Sequence, residues 1–233
     1  MKGFEAFLSD QSGTVPHSGQ KGILTEWFPF SDLELSSGNL AFFDPAFPPD
    51  DSTMGTVIEL PPGQFKLEAR GIAFGADRRV AAVRCILQDV NVAKISKGEP
   101  IGEVGVDTGR IGVGDLSLLS AVLENLDGDV YEDLLTSKDA GAFIIKLDPN
   151  TPLAIFSAGF GDGAYPVSSL LNGNDLIGAE IDLISADKSY PFGTPEPKVG
   201  SHGNLKDENY NFSMICSKSL HRAPMVSAVR RKH

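Results

Sequence analysis

Short segments that alternate polar and apolar residues, bounded by proline or glycine, constrain the fold of this chain most. Residues 64–70 read Gln-Phe-Lys-Leu-Glu-Ala-Arg, and a period of two is typical of a strand with one buried and one wet face. The preceding Leu60-Pro-Pro-Gly63 forces a turn, because proline fixes φ and glycine widens the allowed backbone angles. We therefore predict that a strand at residues 56–60 pairs antiparallel with the strand at 64–70.

Other segments extend this pattern along the chain. The apolar and β-branched run at residues 80–87 predicts a core strand, and the turn-like residues 76–79 before it predict a second hairpin. Residues 101–107 alternate again. The later strands, which we expect to form a β-meander with a hairpin turn at Asn172-Gly-Asn-Asp175, are predicted at residues 141–147, 152–160, 165–171 and 176–184.

Helical periodicity is confined to one region. Residues 108–115 contain three glycines, which we interpret as a loosened stretch before a helix. Asp115 can cap that helix, and Leu116, Leu119, Leu123 and Leu126 recur on one face of it. Asp127-Gly128 would end it, and residues 130–137 predict a second short helical segment.

These elements predict a mainly β protein of the α+β class, with an antiparallel, β-sandwich-like sheet core and one or two short helices. We expect a single domain in three parts. Residues 1–54 would form strands and loops packed on the core, residues 55–187 the β-rich core, and residues 188–233 an irregular carboxyl-terminal extension. Within the first part, the proline-rich and acidic residues 44–51 predict a long surface loop.

The net charge of the chain disfavours some classes of binding partner. The chain has 31 acidic and 20 basic residues and a formal charge of −11, which repels nucleic acid and anionic lipid. No apolar run is long enough to span a membrane, and residues 1–10 lack the pattern of a secretory signal. With two cysteines, and Cys85 inside an apolar run, we expect a protein of the cytoplasm with a buried, reduced Cys85.

Three stretches resemble one protein family. They are the Pro-Pro-Gly strand entry with Arg79-Val-Ala-Ala82, the segment Gly102-Glu-Val-Gly-Val-Asp-Thr-Gly109 with Asp115, and Gly161-Asp-Gly-Ala-Tyr-Pro-Val167. Over about residues 55–185 the chain is similar to the bacterial domain-of-unknown-function family 4241 (DUF4241). The resemblance implies a related fold, and it transfers no catalytic residue because the family has no settled function.

Asp107, Asp115 and Asp162 lie in these glycine-rich segments, and carboxylates on such loops can hold a hard divalent cation. The alternative is that Asp115 caps a helix while Asp107 and Asp162 accept hydrogen bonds within tight turns. Tyr165, beside Pro166, is either a surface contact or a buried ring with a satisfied hydroxyl. The sequence therefore offers four candidate binding residues and leaves the role of each open.

Two hypotheses for function follow. The first is a protein-binding module without enzymatic activity, which uses acidic loops to engage a basic protein; bacterial immunity or antitoxin proteins are an analogy. The second is a metal-assisted hydrolase in which Asp107, Asp115 and Asp162 hold the cation. No nucleophile elbow, zinc-binding histidine pair or phosphate-binding loop occurs in the sequence, which favours the first hypothesis, and it requires no cofactor.

Overall fold

The computed structural model describes residues 2–8, 22–136 and 141–184, which all lie within one compact unit, Met1–Thr194. These residues form two open, mostly antiparallel sheets and three short helices, so the predicted fold class is confirmed. The predicted extension at residues 188–233 lies outside the described residues. In chain order the strands are β1 (Ile23–Leu24), β2 (Phe28–Leu35), β3 (Asn39–Phe43), β4 (Gly55–Glu59), β5 (Gly63–Phe74), β6 (Asp77–Leu87), β7 (Ile95–Val106), β8 (Arg110–Asp115), β9 (Ala142–Asp148), β10 (Thr151–Ser157), β11 (Gly163–Asn172) and β12 (Asp175–Asp182).

The strands divide between a seven-stranded and a five-stranded sheet in the described part of the chain. Neighbours in the first are β1, β5, β6, β12, β11 and β7, with β2 also paired to β5. The second has the order β4-β3-β8-β10-β9. The chain therefore moves repeatedly from one sheet to the other.

The main core lies between the two sheets. Phe30 on β2 and Phe156 on β10 are both buried there, and their ring centroids are 4.6 Å apart. On β3, Phe42 joins this core, whereas Phe43 points to the other face of the five-stranded sheet. That second face packs against the helices α2 (Leu116–Leu123) and α3 (Gly128–Thr136) through a smaller apolar cluster. The described residues thus build three layers, and the five-stranded sheet is the middle one.

Two predicted strand pairings are wrong, although the strands themselves are confirmed. The Pro-Pro-Gly turn does not close a hairpin: β4 pairs with β3 in the five-stranded sheet, and β5 pairs with β1, β2 and β6 in the other. The expected meander is two separate hairpins, β9–β10 in the five-stranded sheet and β11–β12 in the seven-stranded sheet. The predicted β5–β6 hairpin is present. Alternating burial identifies a strand, but it does not say which sheet the strand joins.

The glycine-rich residues 108–115 are not the loose stretch that we predicted. β8 occupies residues 110–115 and lies between β3 and β10 at the centre of its sheet. A Cβ atom on Gly112 would lie 2.9 Å from ring atoms of Phe43, and one on Gly114 would lie 2.9 Å from Leu119. These glycines therefore make room for large side chains on neighbouring elements.

The helices agree with prediction only in part. α2 begins after Asp115 as expected, but it ends at Leu123, before the predicted end at Asp127-Gly128. Gly128 is instead the first residue of α3. A further helix, α1 (Lys2–Leu8), was not predicted, and a short 3-10 turn occupies Val92–Lys94. Among the described residues, no helix has the length and apolarity needed to cross a membrane.

Candidate functional site

Two loops meet the start of β6 near the ends of β7, β10 and β11. Residues 107–109 connect β7 to β8, residues 158–162 connect β10 to β11, and the start of β6 lies beside them. A cleft of about 330 Å³ opens between these segments, and its lining includes Arg79, Gly109 and Gly161. Each of these three residues belongs to a different one of the glycine- or arginine-containing motifs singled out in the sequence.

Arg79 is held firmly at this cleft. Its Nε donates to Asp77 at 2.7 Å, its Nη1 donates to the carbonyl of Gly159 at 3.1 Å, and its guanidinium lies 4.8 Å from the ring centroid of Phe160. The Asp77 side chain is almost fully buried. The ion pair with Asp77 thus fixes the Arg79 guanidinium, and the hydrogen bond from Arg79 to Gly159 holds the loop between β10 and β11.

Tyr165 is buried, with 1% of its surface exposed, so of the two predicted roles the structure shows the satisfied core tyrosine. Its hydroxyl lies 2.7 Å from the carbonyl oxygen of Gly161 and 3.2 Å from that of Ala158. Burial raises the pKa of Tyr165 to about 12. The phenol therefore stays protonated and can donate to the loop between β10 and β11.

Asp107 and Asp162 lie close enough for their charges to interact, and each is within two positions in the chain of a residue that lines the cleft. Both side chains are exposed. Burial of part of the carboxyl group is the largest cause that raises the pKa of Asp162, and the negative charges of Asp107 and Asp44 raise it further. The backbone N–H of Gly109 donates to the same carboxylate and partly offsets these effects.

Asp115 lies away from that pair. It caps α2 by accepting from the backbone N–H groups of Ser117 and Leu118, and it also accepts from the N–H and hydroxyl of Ser37 at 2.9 and 2.8 Å. Since a strand rises about 3.3 Å per residue, β8 separates it from residues 107–109 by about 16 Å. Across the described ranges, no group of three or more His, Cys, Asp or Glu side chains is placed to hold a metal ion.

A second concave site lies between the β3–β4 loop and helices α2 and α3. Two cavities of about 410 and 480 Å³ share Pro45, Ala46, Gly128 and Tyr131 in their linings. Their other apolar side chains come from the loop, from both helices and from the turn between the helices: Phe47, Pro48, Pro49, Leu123, Leu126 and Leu135. We call this continuous feature the helical groove, and its size is in the range of ligand and peptide-anchor pockets.

The chain around the helical groove is strongly acidic. Residues 116–136 contain five acidic side chains, and residues 44–54 contain three, without any lysine or arginine in either segment. Asp50, Glu124 and Glu132 line the cavities themselves and are exposed. The apolar floor is thus bordered by three exposed carboxylates, while Arg110 also lines the larger cavity and lies over the ring of Phe143.

A family model described as a protein of unknown function (DUF4241) matches residues 33–175, which is more than half of the chain. The chain belongs to the DUF4241 family. The matched segment contains the cleft loops and every residue that lines the helical groove, so both sites are features of the DUF4241 region. No curated protein and no solved structure matched the chain.

Sequence reasoning missed two important residues of the DUF4241 region. Asp44 has no exposed surface, although it lies in a stretch interpreted as a surface loop. Its Oδ2 accepts from the N–H groups of Asp107 and Thr108 at 2.7 and 2.9 Å, and its Oδ1 accepts from the Thr108 hydroxyl and the N–H of Ala46 at 2.8 and 2.9 Å. An Asp-Pro pair directly after an apolar strand was the available signal, because such aspartates often accept from nearby backbone.

Tyr131 is the other missed residue. It lines both cavities of the helical groove, and its buried hydroxyl has no hydrogen-bond partner in the described part of the chain. Burial is the main cause that raises the pKa of Tyr131, and the charge of Asp44 adds to it. The helical prediction for residues 130–137 contained Tyr131, but it could not show that the proline-rich loop would lie against it.

Proposed function

We propose that this DUF4241 protein is a protein-binding module that takes a basic, partly apolar segment of its partner into the helical groove. The observation that carries the proposal is the apolar floor of the groove beside the exposed carboxylates of Asp50, Glu124 and Glu132, which outnumber the one arginine, Arg110, in the lining of the two cavities. Apolar side chains of a partner would gain by burial on Phe47, Leu123 and Leu126, while lysine or arginine side chains would lie near Glu124 and Glu132.

The charge of the whole compact unit supports the same partner chemistry. Residues 1–194 contain 28 acidic and 13 basic residues. A surplus of one sign accelerates the approach of an oppositely charged partner and disfavours acidic competitors. Toxin neutralisation by an immunity or antitoxin protein would be one instance of such binding, and it stays a hypothesis by analogy.

The metal-assisted hydrolase stays an untested alternative. Its three proposed ligands do not converge, because Asp115 caps α2 at the other end of β8 from Asp107. No observation in the described residues favours that reaction over binding.

The test is to select peptides from a random twelve-residue library displayed on phage, using the purified full-length chain. We expect the enriched peptides to combine lysine or arginine with Leu, Ile or Phe, and their affinity to fall as the salt concentration rises. The groove variant carries Glu124→Lys and Glu132→Lys. Its matched control carries Glu99→Lys and Asp175→Lys. Both acids are exposed, and they lie toward the ends of β7 and β12 that are remote from the cleft.

Both double variants change the net charge equally, so they separate local recognition from general attraction. The proposal predicts at least a tenfold weaker affinity for the groove variant and less than a threefold change for the control. Equal losses in the two variants would show attraction by net charge alone. A library that yields no basic peptides would overturn the proposal.

A further inference from the structure

The loop wall of the helical groove has no N–H group to offer a ligand. Residues 45–49 read Pro-Ala-Phe-Pro-Pro, and all five line the groove. The three prolines have no N–H. The N–H of Ala46 donates to the Asp44 side chain, and the N–H of Phe47 donates to the Asp44 carbonyl oxygen. This wall therefore cannot donate a hydrogen bond to the main chain of a partner.

The two helical walls already use most of their N–H groups, because in an α-helix each N–H bonds to the carbonyl four residues earlier. At the groove, the N–H of Glu124 donates to the Ser120 carbonyl, and that of Tyr131 donates to the Asp127 carbonyl, both at 3.0 Å. The Tyr131 hydroxyl is buried beneath the groove surface and is out of reach of a ligand. The helices α2 and α3 thus offer side-chain surface rather than main-chain donors.

The remaining wall, formed by the β7–β8 turn and the start of β8, carries one charged donor. Thr108 directs both its N–H and its hydroxyl to Asp44. Arg110 lines the larger cavity, where it donates to the carbonyl oxygen of Leu135 and lies over the ring of Phe143. A single guanidinium cannot pair with all the carbonyl groups of an extended segment.

An extended segment would therefore be a poor ligand for the groove. Its N–H and C=O groups need partners outside the segment, and those turned toward the apolar floor would have none. A buried polar group without a partner costs free energy that binding must offset. An α-helix bonds these groups within itself and presents side chains to its surroundings. A helix can hence fill the groove without leaving its own main chain unpaired.

We infer that the partner segment binds the helical groove as an amphipathic α-helix. This inference rests on the proposed function, because it assumes that a basic, partly apolar segment occupies the groove. Apolar side chains spaced three or four residues apart pack on Leu123, Leu126 and the loop wall, which is the helix-in-groove mode of recognition. Lysine or arginine side chains beside that apolar stripe lie near Glu124 and Glu132, whose carboxylates are exposed.

The peptides selected from the library with the full-length chain provide the test. Their apolar residues should recur at three- and four-residue steps, whereas a bound strand would require alternation. Alanine scanning of the tightest peptide first identifies an interior position whose side chain contributes nothing to binding. Proline there should weaken binding about a hundredfold, because it removes a helical hydrogen bond and clashes with the preceding turn. Proline at the first residue is the matched control and should change affinity less than about threefold.

The NMR chemical shifts of an isotope-labelled peptide measure its conformation directly. So short a peptide is mostly unfolded alone. It should gain helical shifts with the wild-type protein and keep its free shifts with the variant that carries Glu124→Lys and Glu132→Lys. Basic peptides that depend on these glutamates yet tolerate interior proline, or that bind with extended shifts, would overturn this inference and leave the proposed function intact. Failure to select any basic peptide would instead overturn the proposed function and this inference with it.

Discussion

Asp44 shows how a single residue can support two candidate sites. The carboxylate of Asp44 accepts from the backbone of Asp107 and Thr108, so it ties the β3–β4 loop to the turn before β8. The helical groove lies on one side of that turn, where Thr108 lines it, and the cleft lies on the other, where Gly109 lines it. A buried carboxylate is therefore the common support of both candidate sites.

We predict that Asp44→Ala destabilises the protein by about 3 kcal/mol, because several donors would lose their acceptor at once. The free energy of unfolding in urea measures this change. Asp107→Ala is the matched comparison, since the Asp107 side chain is exposed and its contribution to the Asp44 contact is a backbone N–H. A loss for Asp44→Ala no larger than that for Asp107→Ala would contradict the structural role of Asp44.

Asp162 should make stability depend on pH in a defined direction. Its pKa is raised above the ordinary value of 3.8, so the native state holds the proton more tightly than the unfolded chain does. The stability from this group is present below pH 3.8 and is lost as the pH rises through the raised pKa. Asp162→Asn should therefore increase the Tm at pH 7 and change it less near pH 4.

Asp51 is a control of opposite sign for this measurement. Its pKa is lowered, first by the hydroxyl of Thr53 and then by the Thr53 backbone N–H. A carboxyl with a lowered pKa contributes stability at neutral pH that is lost on acidification. Asp51→Asn should thus lower the Tm at pH 7, and a rise in that variant would contradict the stabilising role of the hydrogen bonds from Thr53 to the Asp51 carboxylate.

At the scale of elements, β8 shows that glycine content does not predict whether a segment forms a strand in a closely packed sheet. Glycine weakens an isolated strand because it has no side chain to pack and loses much entropy on folding. In β8 the neighbouring elements supply the large groups, with Phe43 over Gly112 and Leu119 over Gly114. β8 is stabilised because side chains from β3, β10 and α2 pack into the space that the missing glycine side chains leave.

We predict that Gly112→Ala destabilises the protein by about 1 to 3 kcal/mol, the usual cost of overpacking a close-packed core. The added methyl group would lie 2.9 Å from the Phe43 ring and 3.3 Å from Leu153. Gly128→Ala is the control, because a Cβ there meets nothing within 4 Å and the residue begins α3. Unfolding in urea should show no loss of stability in the control, and a tolerated Gly112→Ala would mean that Phe43 is free to shift.

At the scale of the whole molecule, the cleft in the described unit lies at a point where the chain changes sheets. The β7–β8 turn leaves the seven-stranded sheet for the five-stranded one, and the loop between β10 and β11 returns. Loops that bridge two sheets converge on the ends of the sandwich, where function is commonly located. This arrangement brings Gly109 and Gly161 into one cleft although 52 positions separate them in the chain.

The sequence by itself determined the class of fold, most strands and the cap of α2. Three local signals carried these predictions: the alternation in β5, the turn between β11 and β12, and Asp115 before a leucine repeat. Each depends only on the backbone geometry of a few neighbouring residues. The pairing of β3 with β4, the burial of Asp44 and the apolar groove beside Tyr131 were decided only by tertiary structure. They depend on which distant segments come to lie together, and that choice is made by packing across the two sheets, which no local pattern encodes.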